Sequence, residues 1–153
     1  MIKINVSRIK ELRQCTQLGM SDCKNALVEA NDDMDKAIEI LRKKGLKKVN
    51  KVADRATDEG KVVSYVHNNK IGVLVEINCE TDFATSNREF ETFCNDISIQ
   101  IASMNPFDRQ DLMKQNFVKD NSKTISNMQE ELIAKLGENI QIKRFTRYEL
   151  GKQ

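Results

Sequence analysis

GKVVSYVHNNKIGVLVEIN, residues 60–78, is the stretch that decides the fold. Val62, Ser64 and Val66 alternate with Val63, Tyr65 and His67; Ile71, Val73, Val75 and Ile77 alternate with Gly72, Leu74, Glu76 and Asn78. A period of two with many β-branched side chains predicts two strands, and His67-Asn68-Asn69-Lys70 supplies the turn of a hairpin. His67 itself is most simply a solvated turn residue.

Downstream, Cys79-Glu80-Thr81-Asp82-Phe83 continues no pattern. Ser86-Asn87-Arg88-Glu89 has the form of a capping box, with Ser86 as the cap. Phe90, Phe93, Cys94, Ile97, Ile101 and Met104 then recur on one helical face. Pro106, the sole proline, ends that helix, because it lacks an amide hydrogen and restricts the residue before it. Phe107 to Ser122 is expected to be a polar connection. Ile125, Met128, Leu132 and Leu136 mark a second helix, closed by Gly137. Ile140 and Ile142 alternate with Gln141 and Lys143, and Phe145, Tyr148 and Leu150 follow, a third strand whose alternation slips once, as at a bulge. Residues 60–153 thus predict an α+β core, β-β-α-α-β, with a three-stranded antiparallel sheet and two helices on one face.

Upstream, Val6, Ile9, Leu12 and Arg13 mark a first amphipathic helix, interrupted by Thr16-Gln17-Leu18-Gly19. Ser21 is expected to cap a second helix, with Asp22 in its first turn, running to about Ala30. Asn31-Asp32-Asp33 offers the next cap, and Met34, Ala37, Ile38 and Leu41 recur at helical spacing. Lys43, Lys44 and Gly45 read as a basic last turn and stop signal. Residues 1–45 therefore predict a three-helix bundle, residues 46–59 a basic linker. Arg42 to Lys51 holds six basic residues and no acid; it suits a phosphate or acidic partner, and a solvated helix end and linker is the plainer account.

Composition narrows the function. The 153 residues carry 25 Lys plus Arg against 23 Asp plus Glu, a net charge of +2, with 39% apolar residues. That length excludes a (β/α)₈ barrel, no stretch has signal-peptide or membrane-span character, and an aqueous, cytosol-like setting is expected. Cys15, Cys23, Cys79 and Cys94 form no C-x-x-C pair and share the chain with one histidine, a poor zinc spacing, so reduced and mostly buried thiols are expected and no metal site. No phosphate-loop or dinucleotide glycine motif is present, so no cofactor is expected, and no nucleophile–base pair marks an enzyme. Glu80 and Asp82 lack a partner lysine or histidine for acid–base work. Phe83 beside Asp82 either covers the apolar end of the following helix or forms an exposed tip that wedges into a partner.

The N-terminal run Lys10-Glu11-Leu12-Arg13, Thr16, Gly19-Met20, Asp22-Cys23-Lys24 and Ala26-Leu27, with Gly72-Val73-Leu74-Val75-Glu76, Asn78-Cys79-Glu80-Thr81-Asp82-Phe83 and Leu136-Gly137-Glu138-Asn139-Ile140, resembles translation elongation factor Ts over nearly the whole chain. The resemblance implies a guanine nucleotide exchange factor for elongation factor Tu, bound in its GDP and nucleotide-free forms. It implies a ubiquitin-associated-like bundle that docks on the GTPase domain through positions matching Arg13, Met20 and Lys24, with a second contact at Leu136 and Gly137. Thr81, Asp82, Phe83 and Ala84 match the segment that dislodges Mg²⁺ from the partner. Where the family has Thr-Gly-Ala-Gly-Met-Met, this chain has Thr16-Gln17-Leu18-Gly19-Met20-Ser21. Longer members carry a helical insertion between the core helices or a second core copy; here Phe107 to Ser122 fills that interval, and the ending resembles the natural end of single-core members. Single-core relatives dimerise, and an unpaired last strand with Phe145 and Tyr148 offers a surface for that. A bacterial cytoplasm is the default setting, and a plastid or mitochondrial interior is equally compatible for an organelle-encoded chain; no membrane and no direct nucleic-acid partner are expected. The competing class is an RNA- or ribosome-associated basic protein, drawing on Arg42 to Lys51; the net charge of +2 and 5% aromatics speak against it.

Overall fold

A computed structural model describes residues 3–152. Residues 1 and 2 of the expected bundle and residue 153 of the expected core lie outside that range. The chain divides into two compact units, Met1–Asn50 and Lys51–Gln153.

The first unit is helical: α1 (Val6–Thr16), α2 (Met20–Glu29) and α3 (Met34–Val52), the last crossing the boundary between the units. Its core is Ile9, Leu12, Cys23, Ala26, Leu27, Ala30, Ala37 and Leu41. The Asn5 side chain caps α1 by accepting from Ser7 N–H, and Asp33 accepts from Lys36 N–H at the start of α3. In the loop between α2 and α3, Asn31 and Asp32 take positive φ, which Asn and Asp tolerate best after glycine. The Arg8 guanidinium bonds the Asp32 carboxylate at 3.2 Å and holds this turn against α1.

Two sequence expectations fail here for local reasons. α2 begins at Met20 with Gly19 as its N-cap residue, so Ser21 lies inside the first turn. α3 passes through Gly45 without a break, and the expected linker is helical as far as Val52. A glycine inside a helix costs about 1 kcal/mol; Leu46, Val49 and buried Val52 prolong the i, i+3 apolar spacing and outweigh it. Within the basic run, Lys43 pairs with Glu39 and Lys44 with Glu29.

The second unit is built on an antiparallel sheet of β1 (Glu59–His67), β2 (Ile71–Cys79) and β5 (Gln141–Glu149) in the order β1-β2-β5. The hairpin pairs Val63 with Val75 and Tyr65 with Val73, and Asn68 and Asn69 turn with positive φ. At Gly60, φ is +153°; a Cβ there would meet the Ile77 carbonyl and lie 2.7 Å from Asn78 Cα, so the strands approach too closely for a side chain. Across β2, Ile77 faces Ile142 and Glu76 faces Arg144, leaving Lys143 as the bulged residue. The bulge explains the slip in alternation: it returns Phe145, opposite Val75, to the same face as Ile142.

One face of the sheet is covered. α5 (Arg88–Met104) packs on β1 and β2, α6 (Arg109–Lys114) on β5, and α7 (Ile125–Leu136) against α5 and α6. Phe90, Phe93, Cys94, Ile97 and Ile101 of α5 are buried, so its apolar face falls where the spacing puts it as far as Ile101; Met104, expected on the same face, is exposed in the last turn. Its cap differs: Asn87, not Ser86, accepts from Glu89 N–H. After Met104, Asn105 takes the left-handed conformation ahead of Pro106, and the Arg147 guanidinium donates to the freed Ala102 carbonyl at 3.1 Å. The stretch expected as a plain connection instead contains α6 and a small hairpin, β3 (Asn116–Phe117) and β4 (Asp120–Thr124). Buried Gln100 fastens it to α5, donating to the Asn116 carbonyl (3.0 Å) and accepting from Val118 N–H (2.9 Å).

Gln17 closes α1 in the left-handed conformation, φ 58°, where the family pattern has glycine. A side chain there costs about 1 kcal/mol. Gln17→Gly should therefore raise the urea midpoint by an amount worth about 1 kcal/mol with the m-value unchanged; a fall would show that the 2.9 Å bond from Gln17 Nε2 to the Gln14 carbonyl outweighs the strain.

Candidate functional site

The unpatterned segment after β2 forms a single helical turn, α4 (Asp82–Thr85). Thr81 is its N-cap residue, the hydroxyl oxygen accepting from Ala84 N–H at 3.4 Å. The Thr85 hydroxyl donates to the Asp82 carbonyl at 2.6 Å and tightens the turn. Of the residues expected at the tip, Thr81 is half-buried, Asp82 exposed, Phe83 84% exposed and Ala84 buried. Phe83 therefore does not cover the apolar end of the next helix; Ala84 anchors the turn, and Asp82 and Phe83 are what it displays. Phe107 is exposed too, at 92%; what distinguishes Phe83 is the bonded turn that carries it.

The base of this turn is held by paired carboxylates. Glu138 Oε1 accepts from the backbone N–H groups of Glu80 (3.1 Å) and Thr81 (3.0 Å), and Oε2 accepts from the Thr81 hydroxyl (2.6 Å). In return Glu80 Oε1 accepts from Asn139 N–H at 2.7 Å and faces Arg55 Nη1 at 3.7 Å. Buried Asn139 donates through Nδ2 to the carbonyls of Ala53 (3.2 Å) and Arg55 (2.8 Å), fixing the stretch that carries Arg55. Beneath the turn the Cys79 thiol donates to the Thr81 carbonyl at 3.3 Å.

Gly137 is the left-handed C-cap of α7, φ 69°, its N–H donating to the Ile133 carbonyl at 2.8 Å. Leu136 is half-buried and Gly137 exposed, immediately before Glu138. The structure thus joins the two expected contacts of the core unit, residues 81–84 and 136–137, through the Glu138 carboxylate. Sequence reasoning missed Glu80, Glu138, Asn139 and Arg55 as the support; the place of Glu80, Glu138 and Asn139 inside the two matched motifs was the available signal.

In the helical unit, Arg13 and Met20 line one open concavity with Lys10, Gln14 and Gln17. Lys24 lies one helical turn beyond Met20, on the same face of α2. Among the described residues no three His, Cys, Asp or Glu side chains gather as a metal site would need, and no helix is long and apolar enough to cross a membrane.

A helical unit followed by an α+β unit that displays a braced aromatic turn is the outline of a factor that works by contact with another macromolecule. The comparisons with known proteins are specific. The family model "Elongation factor TS" matches residues 80–153, which include both core contacts. The chain is 40% identical to elongation factor Ts of Fervidobacterium nodosum, over 99% of this chain and 100% of the relative. It is likewise 40% identical to that of Caldanaerobacter subterraneus subsp. tengcongensis (97% and 98%) and 38% identical to that of Thermotoga maritima (99% and 98%). The chain belongs to the elongation factor Ts family. Its role is the family's, guanine nucleotide exchange on elongation factor Tu in translation elongation.

The thiols give a direct check on this packing. Cys15 is exposed and Cys23, Cys79 and Cys94 are buried. Burial, then the negative charge of Glu138, pushes the Cys79 thiol up to about 11, and burial pushes Cys94 up to about 12, from an ordinary 9.0. A thiol reagent at pH 8 should therefore label Cys15 in the native protein and the other three after unfolding. Between pH 9 and 11 the unfolded chain loses protons that the folded chain keeps, so stability to urea is full below pH 9 and falls as pH rises through that window.

Proposed function

We propose that Asp82 and Phe83 are the residues that enter the GTPase beside its Mg²⁺ and phosphate site, and that Arg13, Met20 and Lys24 dock the helical unit on the same partner. The observation that carries this reading is the exposed Asp82–Phe83 pair on a turn whose base is fully bonded. A GTPase holds GDP through a backbone cradle and a metal ion. A wedge that fits only the conformation with the metal site disturbed stabilises that conformation. By linkage it weakens nucleotide binding to the extent of that preference. Phe83 supplies apolar contact and Asp82 a negative charge that competes for the metal's surroundings. Leu136 and Gly137 supply a second contact, and Ala84 serves through the backbone it anchors. This exchange calls for no acid, base or cofactor on the chain. The bacterial relatives support a cytoplasmic place of work.

Release of fluorescent GDP from elongation factor Tu tests the reading. The unaltered protein should accelerate release, and the Asp82→Ala, Phe83→Ala double variant should lose at least about thirtyfold of that acceleration, the cost of truncating an interface anchor. Undiminished acceleration by a normally folded variant would move the mechanism to the docking surfaces.

The sheet face opposite α5 supports a homodimer. Val62, Val66, Leu74 and Tyr148 stand exposed on it, Tyr148 at 76%, an apolar surface of the kind an isologous contact would cover. Phe145, expected to share that surface, faces the covered side with Val75. Light scattering should give about twice the chain mass, and Leu74→Glu should return it to the monomer; a monomeric mass for the unaltered protein removes the dimer.

A further inference from the structure

We propose that Glu138 and Glu80 are positioning residues for nucleotide exchange: Glu138 bonds the backbone of Glu80 and Thr81, Glu80 bonds that of Asn139, and together they present Asp82–Phe83 and Leu136–Gly137 to the partner as one preset surface. This rests on the reading of the tip given above and extends it to residues that need not touch the partner.

The geometry is reciprocal. Glu138, one residue past Gly137, takes both backbone N–H groups and the hydroxyl at the base of the tip; Glu80, one residue before Thr81, takes the N–H of the residue after Glu138. All polar groups of Thr81 are consequently engaged: N–H and hydroxyl proton to Glu138, hydroxyl oxygen to Ala84 N–H, carbonyl to the Cys79 thiol. The next residue is exposed Asp82. The rotational freedom of the chain thus ends at Thr81, one residue before the displayed side chains. Two half-buried carboxylates are a costly way to join two loops, since each must be fully supplied with donors. Arg55, itself placed by Asn139, offsets the charge of Glu80. What such a network supplies beyond cohesion is a single geometry. A tip without it would be ordered on insertion, at the expense of the interaction that drives exchange.

The test is a double-mutant cycle in the GDP-release assay at saturating concentrations of the full chain, with Glu138→Ala, Phe83→Ala and both. Glu138→Ala should lower the saturated release rate about tenfold, the value of one charge-assisted hydrogen bond, with the half-saturating concentration little changed. In the Phe83→Ala background the same change should cost far less, because a support has no effect once the side chain it aims is gone. Glu138→Gln should recover most of the rate, its amide oxygen accepting from both N–H groups and its NH₂ donating to Thr81. Equal slowing by Glu138→Ala in both backgrounds would assign it a role apart from the tip and overturn the proposal. An unchanged saturated rate for Glu138→Ala, with Phe83→Ala slow, would overturn the positioning role and leave the tip reading standing. A fast Phe83→Ala would end both. Where Glu138→Ala does not reach a native circular dichroism spectrum, Thr81→Val, which removes one hydroxyl, takes its place in the cycle, and the same three rate patterns decide between positioning, a separate role and no role for the tip.

Discussion

Glu138 gathers three donors from the end of β2 at distances of 2.6 to 3.1 Å, and the arrangement of the core unit around the tip follows from that one carboxylate. β2 would otherwise leave the sheet with free N–H groups at Glu80 and Thr81, and the turn after α7, which Asn139 and Gln129 also fasten, would lose its tie to the end of β2. Joining these ends inside one network lets a nine-residue strand pass directly into a one-turn helix without a disordered link. A one-turn helix has no cooperativity of its own; it persists because its cap, its anchor Ala84 and its supporting carboxylate are all set by tertiary structure.

Exchange by contact places a demand on geometry more than on chemistry. On the reading proposed above, the ring and carboxylate act only through the difference in their fit to two states of the partner. Uncertainty in their position weakens the fit to both. The core unit meets this demand with stiffness below the tip and exposure above it: Thr81 is bonded through every polar group it has, and Phe83 is 84% exposed. The helical unit, on the reading proposed above, meets a different demand, that of bringing the two proteins together, and it has an open surface around Arg13 and Met20.

Much of this was legible in the sequence because the signals were periodic. The alternation in residues 60–78, the apolar face from Phe90 to Ile101, the glycine after Leu136 and even the slip at Lys143 each report a local rule that the tertiary structure does not override. The site residues came from a different source, the matched motifs, since composition alone left Phe83 divided between a helix cover and a tip. What escaped were features decided by partners distant in sequence. Gly45 looked like a stop because nothing local shows that Val52 will be buried. Residues 107–122 looked like a polar connection because the group that organises them, Gln100, lies on another helix. Glu138 and Glu80 are 58 residues apart, and no periodicity links two carboxylates whose common property is the backbone they hold.

The small hairpin fastened by Gln100 has a consequence for the family's range of sizes. Its strands leave and re-enter the body side by side, Asn116 opposite Thr124, and it is tied to the body by Val118 N–H on Gln100 and by the pairs Lys119–Asp96 and Lys123–Glu131. The alignment with the Fervidobacterium relative runs over 197 positions against 153 residues here, with both proteins covered almost end to end, so internal segments have been gained or lost while the framework stayed. A neck of this kind is a natural graft point. Length can be spliced in or pruned there as an appendage, and the bonded network that joins residues 80–84 to residues 136–139 is spared the change.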